Sequence, residues 1–296
     1  MAIGLVAGLT GGLLGVGGSV VMIPGMTLFF GPAQHLYQGA AMMVNFFVVL
    51  PAIYQHLRAK AVLAPIVKTT IPSAVIGVVG GVWLSSGWWF QGANEIRLSR
   101  IFGFFLFYIA AYNIYRLFGK QRMAEMDADK ARKLPKWRVA MLVGVPTGMI
   151  GGLLGIGGGA IAVPLQQVLL RVPLRRAIAN SAVTILPLSL VGATYKNFSN
   201  AHTGVAFADA FQLAIFLIPT AIVGGFLGGR LTHVIPRRVL RVAFIMLMCY
   251  AGYALVSRCE RATAELAQTQ TITPVEASPS TDIVTLPVNL QPSESR

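Results

Sequence analysis

Two glycine-rich strings in this sequence have a composition suited to binding an anion with backbone atoms. Residues 11–24 are GGLLGVGGSVVMIP, and residues 151–164 are GGLLGIGGGAIAVP. Adjacent glycines weaken a helix by roughly 1 kcal/mol each relative to alanine, so we expect helices to break inside both strings. An unwound segment exposes N–H groups, and a helix that begins after it directs the positive end of its dipole to the same place. The strings therefore indicate an anion site that needs no charged side chain.

The same glycines also have a purely structural interpretation. Several of them stand four residues apart, a spacing that lets two helices approach closely in lipid. These pairs are Gly8/Gly12, Gly11/Gly15, Gly148/Gly152 and Gly151/Gly155. Helix packing does not explain adjacent glycines, because they face all sides of a helix. These residues alone support packing and anion binding equally, and the double occurrence of the string favours a functional role.

Polar side chains that follow each string could complete such a site. Asn180, Ser181 and Thr184 lie at positions i, i+1 and i+4, close to one face of a helix. The corresponding segment of the first half carries Gln38 and Asn45. Each of these side chains alone is more often a contact between helices than a ligand. The candidate substrate-binding residues are Gly15, Gly17, Gly18, Pro24, Asn45, Gly155, Gly157, Gly158, Gly159, Pro164, Asn180, Ser181 and Thr184.

The motifs of other chemistries are missing from the sequence. Residues 155–160, GIGGGA, fit the G-x-G-x-x-A pattern of dinucleotide-binding domains. That fingerprint needs an acidic residue about 20 positions on, and the next acid after Gly159 is Asp209. The chain contains no HExxH, no GxSxG and no P-loop lysine, and Cys249 and Cys259 lack metal-ligand spacing. We therefore expect no enzymatic activity, no catalytic residue, no metal and no cofactor.

The composition places these residues in a membrane. The 296 residues are 55% hydrophobic and 11% charged, whereas soluble domains are about 25% charged. The apolar residues fall in blocks of membrane-spanning length, roughly 20 residues each. The eight blocks are residues 3–31, 36–57, 64–85, 99–118, 138–170, 177–197, 209–230 and 239–256. We predict an all-α polytopic protein of the cell membrane with eight transmembrane helices.

The net charge of +14 does not indicate a nucleic-acid partner. The basic residues cluster in short loops beside the apolar blocks, where they set topology and contact lipid headgroups. The expected partners are the lipid bilayer and a small anionic substrate. Association into a homo-oligomer is left open.

The chain is an internal duplication. An offset of 140 aligns residues 8–24 with residues 148–164, and weaker similarity continues through the following spans. We predict a four-span repeat at 1–118, a charged linker at 119–137, a second four-span repeat at 138–256 and a disordered tail at 257–296. Each repeat opens with a broken helix whose glycines lie near the membrane midplane, and whose second piece ends at Pro24 or Pro164. The two units should have the same orientation, unless a glycine string enters and leaves the membrane at one face.

Three segments of the sequence resemble the sulfite exporter TauE/SafE family, also known as the toluenesulfonate uptake permeases. They are the duplicated GLxGxGGxxxxxP opening, RRAIANSAVTI at 175–185 and IVGGFLGGRLTHVIPRRVLRVAF at 222–244. The resemblance covers residues 4–256 and implies a transporter of two four-span repeats. Its implied substrates are sulfur-containing or organic anions such as sulfite, sulfoacetate or sulfonates. Ser19 stands where the family commonly has a third glycine, so the two copies are expected to differ.

Two functions from different classes remain after these exclusions. A secondary transporter, either an exporter or a permease, would hold its anion at the broken helices and would not depend on ATP. A non-transporting membrane scaffold or assembly protein would use the glycines only to pack helices. The sequence does not specify the anion, the direction of transport, the coupling ion or the membrane face of the termini.

Overall fold

The computed structural model is helical throughout the residues that it describes. These are residues 1–31, 33–90, 95–118, 128–202 and 206–236, with 238–239, 242–243, 245–246, 248–250, 252–254 and 256–257. No strand occurs within these ranges, which confirms the predicted all-α class. Residues 119–127 of the predicted linker and the predicted disordered tail from residue 258 onwards lie outside the described residues.

The helices are numbered along the chain. They are α1 (Ala2–Leu14), α2 (Ser19–Phe30), α3 (Gln34–Arg58), α4 (Ala64–Ser85), α5 (Glu95–Phe118), α6 (Ala128–Arg132), α7 (Lys136–Val139), α8 (Val145–Leu154), α9 (Gly159–Leu169), α10 (Leu174–His202) and α11 (Phe207–Val234). A short 3-10 turn, Trp88–Phe90, follows α4, and a π-helical turn, Ala140–Gly144, joins α7 to α8. Residues Lys136–Leu154 therefore form one continuous helix.

Six helices in the described ranges are long and apolar enough to cross a membrane. They are Gln34–Arg58, Ala64–Ser85, Ile96–Tyr115, Lys136–Leu154, Leu174–Asn200 and Phe207–Thr232. The first of the eight predicted blocks holds only the shorter helices α1 and α2, and the eighth is described in part. The structure thus confirms a multi-span helical protein, and the count of eight spans stays a prediction.

Each glycine string forms the tip of a helical hairpin. A Cβ atom at Gly18 would lie 3.2 Å from the Ala7 carbonyl oxygen, and one at Gly25 would lie 3.4 Å from Ile3 Cγ2, so α2 runs back along α1. In the second string, a Cβ atom at Gly158 would lie 2.7 Å from the Thr147 carbonyl oxygen. From there α9 continues past α8 onto the π-helical turn Ala140–Gly144.

The prediction that prolines end the second helix of each string is wrong. Pro24 lies inside α2, which continues to Phe30, and Pro164 lies inside α9, which continues to Leu169. A proline inside a helix removes one backbone hydrogen bond. Buried neighbours can maintain such a helix within a membrane protein, and both prolines belong to largely buried segments.

Glycines on both hairpins also pack against long helices, so the packing interpretation is confirmed for them. α1 lies along α11, where a Cβ atom at Gly12 would lie 2.9 Å from the Gly229 nitrogen. α8 lies along α4, where a Cβ atom at Gly152 would lie 2.9 Å from the Val82 nitrogen. Each hairpin therefore packs against a helix from the opposite half of the sequence.

The helices α3 and α10 run antiparallel through the centre of the protein. Asn200 Nδ2 donates a hydrogen bond of 2.9 Å to the His35 carbonyl at the start of α3. The backbone N–H of Leu63, which follows α3, donates a hydrogen bond of 2.7 Å to Asn180 Oδ1 near the start of α10. These two helices hold most of the polar side chains that surround the hairpin tips.

Candidate functional site

The two hairpin tips have matching backbone conformations. Gly15 and Gly17 have φ angles of 63° and 81°, and Gly155 and Gly157 have φ angles of 72° and 67°. Glycine adopts these left-handed conformations readily because it has no Cβ atom. The predicted breaks in both glycine strings are therefore present. We call residues 15–19 and 155–159, each of which includes the first residue of the following helix, the glycine loops.

The two loops differ at one position. Gly158 has a φ of 82°, whereas Gly18 is right-handed with a φ of −73°. The next residue also differs, because Ser19 begins α2 where Gly159 begins α9. The two copies therefore differ in conformation at the glycine that precedes the Ser19/Gly159 sequence difference.

The two loops touch each other through Ser181. Its hydroxyl donates a hydrogen bond of 2.7 Å to the Gly15 carbonyl and lies 3.5 Å from the Gly159 carbonyl. A Cβ atom at Gly159 would lie 2.6 Å from the Val16 carbonyl oxygen, so the loops are in direct backbone contact. Ser181 is fully buried.

Asn45 makes the corresponding connection from α3. Its Oδ1 atom accepts a hydrogen bond of 3.1 Å from the Ser19 backbone N–H, and its Nδ2 atom donates one of 2.8 Å to the Ser19 hydroxyl. The same Nδ2 atom lies 3.5 Å from the Ile156 carbonyl in the other loop. Asn45 is fully buried, and it therefore links both glycine loops, as Ser181 does.

Several backbone N–H groups in the loops have no hydrogen-bond partner among the described residues. They belong to Gly17, Gly18, Gly157 and Gly158. A buried backbone N–H is rarely left unpaired, because its desolvation is costly unless a hydrogen bond replaces the lost water. Such donors are suited to bind an anion, and the described contacts of the loops come from glycine, serine, asparagine and apolar residues.

The structure separates Asn180 and Thr184 from this arrangement. Asn180 Oδ1 accepts from the Leu63 backbone, and its Nδ2 atom donates a hydrogen bond of 2.8 Å to Gln166 Oε1. The Thr184 hydroxyl donates a hydrogen bond of 2.9 Å to the Asn180 carbonyl within α10. Both side chains are buried, but these bonds join helices or stay within one helix. Of the three neighbouring candidates on α10, only Ser181 bonds to the glycine loops.

Two buried hydroxyls beside the second loop were not among the sequence candidates. A Cβ atom at Gly157 would lie 3.2 Å from Ser189 Oγ, and one at Gly158 would lie 2.7 Å from Thr147 Cγ2. Neither Ser189 Oγ nor Thr147 Oγ1 has a partner in the described part of the chain. Ser189 could have been found from its position eight residues after Ser181, whereas nothing local distinguishes Thr147.

The described ranges contain no cluster of side chains typical of a metal-binding site. No group of three or more His, Cys, Asp or Glu side chains there is arranged to hold a metal ion. The prediction of no metal concerns the whole chain and stays a prediction.

Comparison with known proteins gives a family match across most of the chain. The family model described as "Sulfite exporter TauE/SafE" matches residues 1–255. The "Probable membrane transporter protein MamO" of Magnetospirillum gryphiswaldense is 31% identical over 264 residues, which are 80% of this chain and 41% of that protein. The MamO protein of Paramagnetospirillum magneticum is 29% identical over 271 residues, 82% of this chain and 42% of that protein.

A third relative matches this chain over nearly its own full length. The "Probable membrane transporter protein MJ0441" of Methanocaldococcus jannaschii is 26% identical over 261 residues, 84% of this chain and 91% of that protein. By contrast, the chain spans about two-fifths of the length of the two MamO proteins. No solved structure matches the chain.

Proposed function

The chain belongs to the sulfite exporter TauE/SafE family of membrane transporters, and from this premise we propose that it is a secondary transporter of a sulfur-containing or organic anion. It is a multi-pass protein of the cell membrane. Sulfite and sulfonates are the proposed substrates, carried by an exporter or a permease. The sequence has no nucleotide-binding motif, so the proposed driving force is a gradient of the anion or of a coupled ion.

The pair of glycine loops is the observation that carries this proposal. Their unpaired N–H groups lie in two loops that touch each other and share Asn45 and Ser181. Irregular backbone inside a membrane protein is tolerated where it is buried in protein or lines a wet cavity. Broken helices at the membrane midplane are a recurrent substrate site of secondary transporters.

The chemistry of the loops suits an oxyanion that must also be released. Sulfite and sulfonates present several oxygen acceptors around one sulfur atom, and the loops offer several N–H donors. Hydrogen bonds to an ionised acceptor are stronger than neutral ones, particularly where water is excluded. Neutral N–H donors bind an anion less tightly than a fixed positive charge would. Weaker binding favours release of the anion, which transport requires.

We also propose that the fold consists of two inverted repeats, each with one re-entrant hairpin followed by three crossing helices. In this proposal Lys136–Leu154, although long enough to cross a membrane, is the first arm of the second hairpin. Matching φ angles in the two loops support the repeat. The antiparallel arrangement of α3 and α10, which follow the two hairpins, supports the inversion. A hairpin that enters and exits at the same membrane face does not cross the membrane, so each repeat has three crossings. Because three is odd, the second repeat begins at the face opposite to the one where the first repeat begins. This is the exception that the sequence left open, in which a glycine string enters and leaves the membrane at one face.

Sulfite flux through the purified chain in proteoliposomes tests the proposal. We expect flux down a sulfite or ion gradient without ATP. Gly157→Ala should reduce both flux and sulfite affinity, because the new Cβ atom would lie 3.2 Å from Asn45 Nδ2 and Ser189 Oγ at a φ of 67°. Gly25→Ala is the matched control, since its Cβ atom would make an ordinary 3.4 Å contact with Ile3.

The scaffold alternative predicts a different result from the same experiment. A scaffold gives no flux of sulfite or any sulfonate from the folded wild-type chain. If the folded fraction of Gly157→Ala binds and transports sulfite as the wild type does, the glycine loops are not the substrate site. Strict dependence on ATP would exclude a secondary transporter.

A further inference from the structure

A buried lysine lies on α10 between the hairpin tips and the end of that helix. Lys196 is 0% exposed and is the one buried lysine or arginine in the described ranges. Its Nζ atom lies 2.8 Å from His35 Nδ1 and donates a hydrogen bond of 2.9 Å to Ser85 Oγ. An ionisable side chain within membrane-spanning helices is costly and usually marks a functional pathway.

The hydrogen bonds around His35 fit an ammonium on Lys196 beside a neutral imidazole. His35 Nε2 lies 2.8 Å from the Phe90 carbonyl oxygen. A carbonyl can only accept, so Nε2 carries the proton and donates. In the neutral ring Nδ1 is then an acceptor, which fits a donor ammonium on Lys196. An ammonium at Lys196 Nζ would have the His35 imidazole and the hydroxyls of Ser85 and Ser86 as neighbours.

A row of buried polar side chains leads from Lys196 to the glycine loops between α3 and α10. Ser189 lies seven residues before Lys196, about two helical turns or roughly 10 Å along the same face. On α3, Gln38 lies seven residues before Asn45 and donates a hydrogen bond of 3.2 Å to the Leu153 carbonyl at the end of α8. Asn197 donates to the Gly39 carbonyl at 3.4 Å and completes the row.

Buried side-chain atoms without hydrogen-bond partners occur on both helices that carry this row. Gln34 Nε2, Gln38 Oε1, Ser189 Oγ and Asn197 Oδ1 have no hydrogen-bond partner in the part of the chain that the structure describes. Buried polar atoms are nearly always hydrogen-bonded to protein or to water. Such atoms on the two facing helices α3 and α10 indicate that a polar solute or water contacts this region.

From these observations we propose that the interface between α3 and α10 is the passage by which an anion reaches the glycine loops from the side where α3 begins, with Lys196 as its counter-charge. The proposal rests on the proposed anion transport and adds the route and a residue that selects for negative charge. The ligand class is a small anion with oxygen acceptors, which the Lys196 ammonium attracts and the unpartnered amide and hydroxyl groups solvate. The loops then receive the anion without a fixed charge of their own.

Charge removal at Lys196 tests the counter-charge by transport. Lys196→Gln should raise the KM for sulfite flux by roughly tenfold or more, the scale of one hydrogen bond between charged groups. Lys196→Arg should restore most of the affinity because it keeps the charge. Lys133→Gln is the control for net charge, since Lys133 is exposed near α6. A merely structural Lys196 would give a lower melting temperature with an unchanged KM in the folded fraction.

Cysteine accessibility tests the passage without any assumption about the substrate. In a background with Cys249 and Cys259 replaced by serine, Ser189→Cys and Gln38→Cys should react with the anionic reagent 2-sulfonatoethyl methanethiosulfonate and with neutral methyl methanethiosulfonate. Val44→Cys is the control, because Val44 is buried in the apolar core on the same helix as Gln38. Adding Lys196→Gln should lower the anionic rate several-fold and leave the neutral rate unchanged.

The outcomes separate this proposal from the proposed function. Equal protection of Ser189→Cys, Gln38→Cys and Val44→Cys from both reagents would overturn the passage. If both cysteines react but the ratio of the anionic to the neutral labelling rate is the same with and without Lys196→Gln, Lys196 is not the counter-charge. A third outcome is labelling whose anionic-to-neutral rate ratio falls with Lys196→Gln, in a chain that transports no sulfite. That outcome would support the passage and exclude sulfite as its substrate.

Discussion

Asn45 and Ser181 are the residues whose side chains hold the two glycine loops together. Asn45 reaches the loops from α3, and Ser181 reaches them from α10, so each long helix contributes one polar contact to both loops. Ser181 makes its bonds to carbonyl groups, and the unpaired N–H groups of the loops remain available. The side chains therefore position the loops, and the loop backbone would contact the anion.

Ser181→Ala is expected to lower the free energy of unfolding by about 1 kcal/mol, because the Gly15 carbonyl loses a buried hydrogen bond. Thermal unfolding in detergent measures the change. The matched control is Thr194→Ala on the same helix, whose exposed hydroxyl bonds only to the Leu190 carbonyl. Equal melting temperatures for the two variants would contradict a role for Ser181 in holding the loops.

The site was partly predictable from individual residues. The breaks at Gly15–Gly18 and Gly155–Gly158 follow from adjacent glycines, whose low helix propensity is a local property. Asn180 and Ser181 are neighbours in sequence, yet they point to different partners, and no local signal separates them. Lys196 stands near the end of an apolar block, where a lysine usually lies at the membrane surface; its burial depends on His35 and Ser85, which are distant in sequence.

At the scale of helices, the main difference from expectation is the direction of the chain after each glycine loop. The string GLLGVGG predicts where the helix stops but not whether the next helix continues or folds back. Whether the chain folds back depends on packing. Gly18 has no side chain, so the Ala7 backbone can approach it closely, and α11 packs against α1. Contacts between residues far apart in sequence, such as Gly12 with Gly229 and Gly152 with Val82, contribute to this packing, and single-sequence patterns do not contain them.

Two adjacent glycines on α4 provide a direct test of this packing. A Cβ atom at Gly81 would clash with the Met149 carbonyl and lie 2.8 Å from the Leu153 nitrogen, whereas one at Gly80 would have nothing within 4 Å. Gly81→Ala should therefore destabilise the protein by about 1–3 kcal/mol through overpacking. Gly80→Ala should be neutral or raise stability by up to roughly 1 kcal/mol, because alanine is the better helix former.

Unfolding in detergent, followed by circular dichroism, measures both α4 variants under the same conditions. Equal stability of Gly80→Ala and Gly81→Ala would mean that α4 and α8 are not in close contact in the membrane.

For the whole molecule, the proposed re-entrant hairpins would change the expected topology. α5 begins beside the start of α3, where Ser99 donates to Gln34 Oε1, and it therefore ends at the opposite side. Ile235, after α11, accepts a hydrogen bond from Arg175 near the start of α10, so the chain is again at that opposite side before residue 238. Near the end of the described chain, Gly252 lies against Gly103 and Leu106 in the first half of α5. The last described residues thus return to the side where α3 begins.

Site-directed labelling from the two faces of the membrane tests this topology. Lys133→Cys and Ser257→Cys, each in a background with Cys249 and Cys259 replaced by serine, should react from opposite faces. Asp209→Cys, in the exposed first turn of α11, should react from the same face as Ser257→Cys. Labelling of Lys133→Cys and Ser257→Cys from one face would restore two units with the same orientation and would require the glycine strings to cross fully.

The crossed packing of the hairpins also has a consequence for biogenesis. α1 packs against α11, and the Thr232 hydroxyl near the end of α11 donates a hydrogen bond of 2.8 Å to the Leu13 carbonyl and lies 3.2 Å from the Gly12 carbonyl. During synthesis the first hairpin cannot pack against α11 until the ribosome has passed residue 232. Until then the glycine face of α1 contacts the translocon or lipid. Neither half should then mature alone. Two half-length polypeptides synthesised in the same cell should instead rescue each other, because each supplies the helix against which the other's hairpin docks.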